Sequence, residues 1–487
     1  MASLNKLKPI EVFQQFEEIL KVPRPSKKEG KIILFLLDFA KKHNLKVKKD
    51  SVGNVLISKP ATKGYEKKQT VVLQSHIDMV CEKNNNIKHD FEKDSIIPIV
   101  DKEWVKAKGT TLGADDGIGV ASQLALLASN KLQHGKIECL FTVDEETGLT
   151  GAFALKPKFF TGKILLNLDS EDEGELFIGC AGGKDTVATL KYQNKKTPGK
   201  QVALKISISG LTGGHSGDDI HKGFANALKI LTRFLWFTQQ NYGLRLSKFE
   251  GGNLRNAIAR EASAIFVVTT ELPNKIIKDF EIFSNDIKSE YSITEPNMTL
   301  KIELCDKPQY VTDKKSQFRL LNALYGCPHG VIAWSMEMPG LVETSTNLAS
   351  VKFISKNKIE VTTSQRSSVE SAKNDIVNMV SSIFILAGFN VKNSDGYPGW
   401  KPNTNSKILN ISKTAYNKLF GKEPVVRAIH AGLECGLFLE KYPKLDMISF
   451  GPTLRGVHSP SERLQISTVQ KFWDLLLEIL KNIPSIK

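Results

Sequence analysis

The sequence predicts an α/β catalytic domain split by an inserted α+β domain, on three observations. Across residues 1–186, apolar strand-like runs alternate with helix-like runs, the texture of an α/β layer. Two of those runs, KIECLFTVDEETG (136–148) and KILLNLDSEDEGE (163–175), share one layout: an apolar strand runs directly into carboxylates. After Gly182-Gly183 the texture changes, and it reverts near residue 396.

In chain order, VVLQSHIDMV (71–80) reads as a buried strand entering a loop, and Ile118–Ser129 as a helix opened by Gly117 and Gly119. Between 187 and 395 the pattern is strand (VALKISISG), helix near 221–238, strands near 251–270, helix near 272–290 and strand MTLKIELC. A second round follows: helix near 315–325, strands around 329–338, 346–355 and 358–365, helix near 368–387, then FNVKNS. The pattern predicts an internally doubled α+β domain, although the halves share no obvious sequence identity. From 396 the α/β texture returns, with KLDMISFGP (444–452) as a strand and STVQKFWDLLLEILKNI as a terminal amphipathic helix. The expected domains are therefore 1–186 with 396–487, and 187–395.

Composition narrows the function. The chain has 487 residues, 41% hydrophobic and 24% charged, enough for a buried core and more than one domain. Six cysteines, at 81, 139, 180, 305, 327 and 435, form no CxxC pair and read as reduced thiols. The N-terminal MASLNKLKPIEVFQQFEEIL has no signal-peptide apolar core, and IILFLLDFA from Ile32 is too short to span a bilayer. A cytoplasmic protein without membrane attachment is expected. Lys+Arg (67) exceeds Asp+Glu (52), giving +15. The lysines are dispersed, with no zinc finger, RRM signature or basic-aromatic repeat, so a solvated basic surface is expected rather than nucleic-acid binding.

Five clusters carry chemistry. His76 ends an apolar strand, and Asp78, two residues on, is placed to hold its second ring nitrogen. Alone, such a pair is a weak signal, and a core or surface histidine is its commoner explanation. Asp115, in GADDGIG, precedes a helix, where an aspartate commonly caps the exposed amides; capping explains one of the two aspartates but not both. Asp144-Glu145-Glu146 and the carboxylates around Asp169 repel one another at strand ends unless cations compensate, or form exposed acidic turns. His458 lies in a glycine- and proline-rich loop after a strand. Of the nine histidines, His43, His89 and His134 have polar neighbours and are expected at the surface, and His221 and His329 are expected to be structural. Nitrogen and oxygen donors without thiolates suit Zn²⁺, with Mn²⁺ or Co²⁺ as substitutes, and five exceed the needs of one tetrahedral ion.

These motifs, with LGADDGIGVA, DSEDEGELFIGCAGG, GGHSGDDIH, HAGLECG and GPTLRGVHSP, resemble the aminoacyl-histidine dipeptidases, including bacterial carnosinases, of the zinc aminoacylase/carboxypeptidase superfamily. The resemblance spans nearly the whole chain. It implies a zinc-exopeptidase catalytic domain with a mixed sheet flanked by helices, an inserted lid or dimerisation domain, and two Zn²⁺ per chain. His76 and Asp169 would bind one ion, Glu146 and His458 the other, and Asp115 would bridge them. Asp78 would orient His76, and Glu145 would be the general base toward a metal-bridging water. His215 would stabilise the oxyanion. Asn256 and Arg366 would grip substrate, Arg366 through the free carboxylate. His430 and Gly432 would lie near the cleft, with His430 equally readable as a core residue.

The implied reaction is hydrolysis of unblocked dipeptides, preferring Xaa-His such as β-Ala-His, by a homodimer. Cys-Gly, tripeptide or N-acyl amino acid hydrolysis on the same fold is the enzyme alternative. A non-catalytic scaffold is the alternative of a different class.

Overall fold

A computed structural model describes residues 4–355 and 357–486. It divides into two compact units. One takes the chain up to Gly179, then Pro402–Ala428, then Leu433 onward; the other takes Cys180–Lys401 and Ile429–Gly432.

The first unit is built on an eight-stranded mixed sheet. Its order is 46–49, 55–59, 137–142, 71–76, 164–167, 446–449, 175–180, 425–429. The four strands 137–142, 71–76, 164–167 and 446–449 run parallel. Strands 46–49 with 55–59, 55–59 with 137–142, and 446–449 with 175–180 pair antiparallel. Every residue of Val71–His76, Ile137–Thr142 and Ile164–Asn167 is buried, as expected for parallel strands covered on both faces. Helix Ala114–Ala128 packs on strand 71–76, and helix Ile10–Leu20 packs on that helix. The chain leaves the buried strands at His76, Thr142 and Asn167, so the next few residues of each gather along one sheet edge. A small four-stranded sheet joins 454–455 and 463–465 to 104–107 and 98–101, and His458 sits in its first turn.

The second unit carries one nine-stranded sheet. Its main path runs 299–305, 201–209, 262–269, 245–251, 342–354, 358–367, 182–191, 390–393, and 330–334 pairs with 342–354. The order resolves into two βαββαβ halves, mirrored about the antiparallel contact of Gly251 with Val351. The first half is 201–209, helix 227–242, 245–251, 262–269, helix 273–290 and 299–305. The second half is 182–191, helix 314–326, 342–354, 358–367, helix 370–386 and 390–393. Its leading strand precedes the whole first half in the chain. That strand pairs with Lys358–Ser367 from Gly182 to Lys191, which is why the unit begins at Cys180 and not at 187. One apolar core runs through both halves, from Leu204, Phe234 and Phe266 to Leu320, Val361 and Phe384.

Cys81, Cys139, Cys305 and Cys327 are free thiols. Among the described residues, no helix is long and apolar enough to cross a membrane. His134 is a correction to the sequence expectation. It is buried, and its Nδ1 is 2.7 Å from Gly135 O, so polar neighbours in sequence did not mean exposure.

Candidate active site

In the first unit the strand ends bring His76, Asp115, Glu145, Glu146, Asp169 and His458 together. His76 Nε2 lies 3.1 Å from Asp115 Oδ1 and 3.4 Å from Asp169 Oδ1. His458 Nε2 lies 3.2 Å from Asp115 Oδ2 and 3.0 Å from Glu146 Oε2. The two oxygens of Asp115 thus face two different histidines, each with its own second carboxylate.

These spacings fit metal coordination. Two donors about 2.05 Å from one zinc, at a tetrahedral angle, stand about 3.3 Å apart. Glu146 Oε1 is buried without a hydrogen-bond partner among the described residues, a further donor free for an ion. The sets His76/Asp115/Asp169 and Asp115/Glu146/His458 each place their ligand atoms within 4.8 Å of one another. A third set, His76/Glu145/Glu146, overlaps them.

The electrostatics describe a crowd of carboxylates. Burial raises Asp169 and Glu145 well above the usual carboxylate range, and neighbouring carboxylates add to the rise although His76 opposes it. Burial and the Asp115 charge lift Asp116 to about 8. Asp115 moves the other way: burial alone would raise it, but hydrogen bonds to His458 and His76 hold it far below the usual range. His458 is held up to about 11 by its bonds to Asp115 and Glu146. His76 is also raised; burial alone would lower it, but Asp169, Asp115 and Asp78 prevail. A bound cation would instead favour ionised carboxylates and neutral histidines here.

Asp115 does not cap its helix. Its backbone and that of Asp116 are non-helical inside Ala114–Ala128, which leaves the carboxylate turned to the histidines. The capping falls to Glu462. Its Oε2 accepts from Leu112 N (2.7 Å) and Gly113 N (2.9 Å), and its Oε1 from Ala114 N (2.7 Å) and Asp115 N (3.3 Å). Buried Arg24 donates to Ile77 O, Asp78 O and Gly113 O, tying the His76 loop to the Asp115 loop.

Asp78 stands 3.4 Å from His76 Nδ1. Its Oδ1 accepts from Glu145 N (3.0 Å), and its Oδ2 from Glu146 N (3.3 Å) and Ser26 Oγ (2.8 Å). Burial alone would raise it, but His76 and these donors lower it to about 2. One layer deeper, buried Glu434 accepts from Gln74 Nε2 (2.6 Å) and Thr142 Oγ1 (2.8 Å), under the strands that carry His76 and Glu145.

The second unit holds the remaining candidates. Arg366, buried in strand 358–367, donates through Nη1 to the Tyr397 hydroxyl at 3.1 Å, and its Nη2 stands 3.4 Å from His215 Nε2. Its Nε has no hydrogen-bond partner among the described residues, and Asp218 lies near enough for the Arg366 charge to help lower its carboxyl. His430 Nε2 lies 2.7 Å from Ser345 Oγ, and burial with repulsion from Arg366 lowers it to about 3, so it is neutral at pH 7. Asn256 is exposed; its carbonyl accepts from Ser216 N at 2.8 Å, which ties its loop to His215. Gly432 lies against the Tyr397 ring. His221 is exposed, and His329 is half-buried with Nδ1 accepting from Leu348 N at 3.3 Å.

Sequence reasoning missed Arg24, Glu462, Glu434 and Tyr397. Two had a signal: Glu434 lies inside the motif HAGLECG, and Glu462 is a carboxylate in SPSERLQ four residues past His458.

Comparison with known proteins bears on this geometry. The model of peptidase family M20/M25/M40 matches residues 72–482. The cytosol non-specific dipeptidase of Escherichia coli (strain K12) is 43% identical over 488 residues, covering 100% of both chains. The crystal structure of aminoacylhistidine dipeptidase from Vibrio alginolyticus superposes with TM-score 0.94 at 44% identity, covering 100% of this chain and 99% of that one. Aminopeptidase PepT from Bacillus cereus, at 16% identity and TM-score 0.57 over 98% and 99% of the two chains, shares the fold.

Proposed function

This chain belongs to peptidase family M20/M25/M40, and from that premise we propose that it hydrolyses unblocked dipeptides in a metal-dependent reaction, with Xaa-His such as β-Ala-His preferred. The observation that carries the proposal is Asp115, one carboxylate facing two histidines that each have a second carboxylate beside them. In this reading His76 and Asp169 hold one ion, Glu146 and His458 the other, and Asp115 both. Nitrogen and oxygen donors without thiolates favour Zn²⁺, with Mn²⁺ or Co²⁺ as substitutes.

When bound, the ions supply Lewis acidity, polarising the scissile carbonyl and making water nucleophilic at neutral pH. Glu145 is the general base: it takes the proton from water and returns it to the leaving amine. A carboxylate raised by burial is a stronger proton acceptor than an exposed one, which suits the task. Asp78 holds Glu145 through its amide and faces His76, so base and ligand share one anchor. Arg366, a buried guanidinium whose Nε has no hydrogen-bond partner among the described residues, is suited to the substrate's free carboxylate. His215 acts on the oxyanion, and Asn256, His430 and Gly432 shape the substrate site.

The names of the relatives favour two specificities. The Vibrio enzyme is named for aminoacyl-histidine and the E. coli one as non-specific, so a broad dipeptidase is the second reading. The E. coli name also supports a cytoplasmic location. A homodimer is part of the proposal on the family resemblance alone. The test is a panel of β-Ala-His, Gly-His, Leu-Gly, Cys-Gly and N-acetylated controls. Cleavage of free dipeptides led by the histidine-containing ones supports the first reading, and equal rates across free dipeptides the second. Cleavage confined to N-acetylated substrates contradicts both.

A further inference from the structure

Tyr397 occupies a slot shaped by glycines. A Cβ on Gly183 would meet its ring and hydroxyl at 2.7 Å, and one on Gly432 would meet the other ring edge at 2.9 Å. Only residues without side chains let the ring lie there. Its backbone is fixed as well. Tyr397 N donates to Gly183 O at 2.9 Å, and Tyr397 O accepts from Gly183 N (3.1 Å) and buried Lys373 Nζ (2.6 Å).

All this holds one hydroxyl, 3.1 Å from Arg366 Nη1. The hydroxyl accepts that bond, so its own hydrogen remains to be given. Burial raises the phenol, against the pull of Arg366, so it stays protonated at neutral pH. Arg366 Nε, beside it, lacks a partner among the described residues. A guanidinium with donors to spare and a fixed O–H is a cradle for a planar anion with two oxygens.

We infer that Tyr397 is a substrate-binding residue, whose hydroxyl is set on Arg366 and donates a hydrogen bond to the free carboxylate of the dipeptide. The inference rests on the reading of Arg366 as the carboxylate grip. It also assigns Gly432 an indirect role: its missing side chain makes room for the Tyr397 ring.

The test compares Tyr397→Phe, Arg366→Ala and the double variant, with KM and kcat measured on Leu-Gly and on Leu-Gly amide, which lacks the carboxylate. Phenylalanine keeps the ring in its slot and removes only the hydroxyl. The expected result is a KM for Leu-Gly raised roughly tenfold or more, the loss typical of a hydrogen bond to a charged group. kcat should hold within about twofold, with about the same KM for the amide as in the parent enzyme and little further rise in the Arg366→Ala background, because coupled residues are non-additive. Gly432→Ala, which displaces the ring but leaves the hydroxyl on the chain, should raise KM for Leu-Gly in the same way. If Arg366→Ala raises KM while Tyr397→Phe does not, Tyr397 leaves the site and Arg366 stays. If Arg366→Ala leaves KM unchanged, the carboxylate reading and the inference fall together. An equal loss on Leu-Gly and its amide marks Tyr397 as structural only and overturns the inference.

Discussion

Asp78 Oδ1 accepts the backbone amide of Glu145 at 3.0 Å, so the proposed general base is positioned through its main chain by the carboxylate that faces His76. Asp78→Asn places an amide NH₂ against donors where a carboxylate now accepts. Metal affinity should fall about 10- to 100-fold, the usual cost of disturbing a ligand's hydrogen-bond partner. Metal titration of the purified variant measures it, and unchanged affinity would remove Asp78 from the support of His76.

Glu145→Gln keeps the shape of the side chain and removes its basicity. kcat should fall by roughly 10²- to 10⁴-fold with both metals retained. Single-turnover rates and metal analysis on the same sample check this. A loss of metal instead would mean that the base and ligand roles at 145 and 146 are exchanged.

Glu462 satisfies the four amides of residues 112–115 and so holds the Asp115 loop. Glu462→Ala leaves these buried donors without an acceptor and should destabilise the protein by roughly 3 kcal/mol or more. Denaturant unfolding of chelator-treated protein measures that cost apart from metal binding. A change under about 1 kcal/mol would show that other groups take over the amides.

Metal binding should release protons. In the metal-free protein His458 is held up to about 11 and so carries a proton near neutrality, and burial or neighbouring carboxylates shift His76, Asp169 and Glu145 toward their protonated forms. Coordination needs neutral histidine and ionised carboxylate, so affinity should rise as pH rises from 6 to 8 and fall toward acid. Calorimetry in buffers of different ionisation enthalpy counts the protons. A flat affinity over that range would contradict the ligand assignment.

The residues of the candidate cluster were legible because His76, Glu145, Glu146 and Asp169 stand at or just past the ends of apolar strands, Asp115 opens a helix in a glycine-rich turn that a cap alone does not explain, and His458 lies in a glycine- and proline-rich loop after a strand. A row of carboxylates on buried strands is costly unless a cation is expected there. Glu462 was not legible, because its partners are main-chain amides up to 350 positions away, and a single glutamate gives no sign of them. Arg24 was hidden for the same reason, its acceptors being carbonyls of distant loops. The doubling of the second unit was visible as a repeated order of elements. Its leading strand was not, since Gly182–Lys191 pairs with a strand more than 160 residues later, past the whole first half. Tyr397 carries no motif of its own; its place is set by the glycines at 183 and 432.

Metal stoichiometry by mass spectrometry, with dipeptide hydrolysis followed through chelation and stepwise zinc return, tests the central claim most directly. The account predicts about two zinc ions per chain at full activity, loss of cleavage on chelation, and recovery that saturates near the second equivalent. Full activity in protein stripped of metal, or recovery complete well below one equivalent, would contradict it.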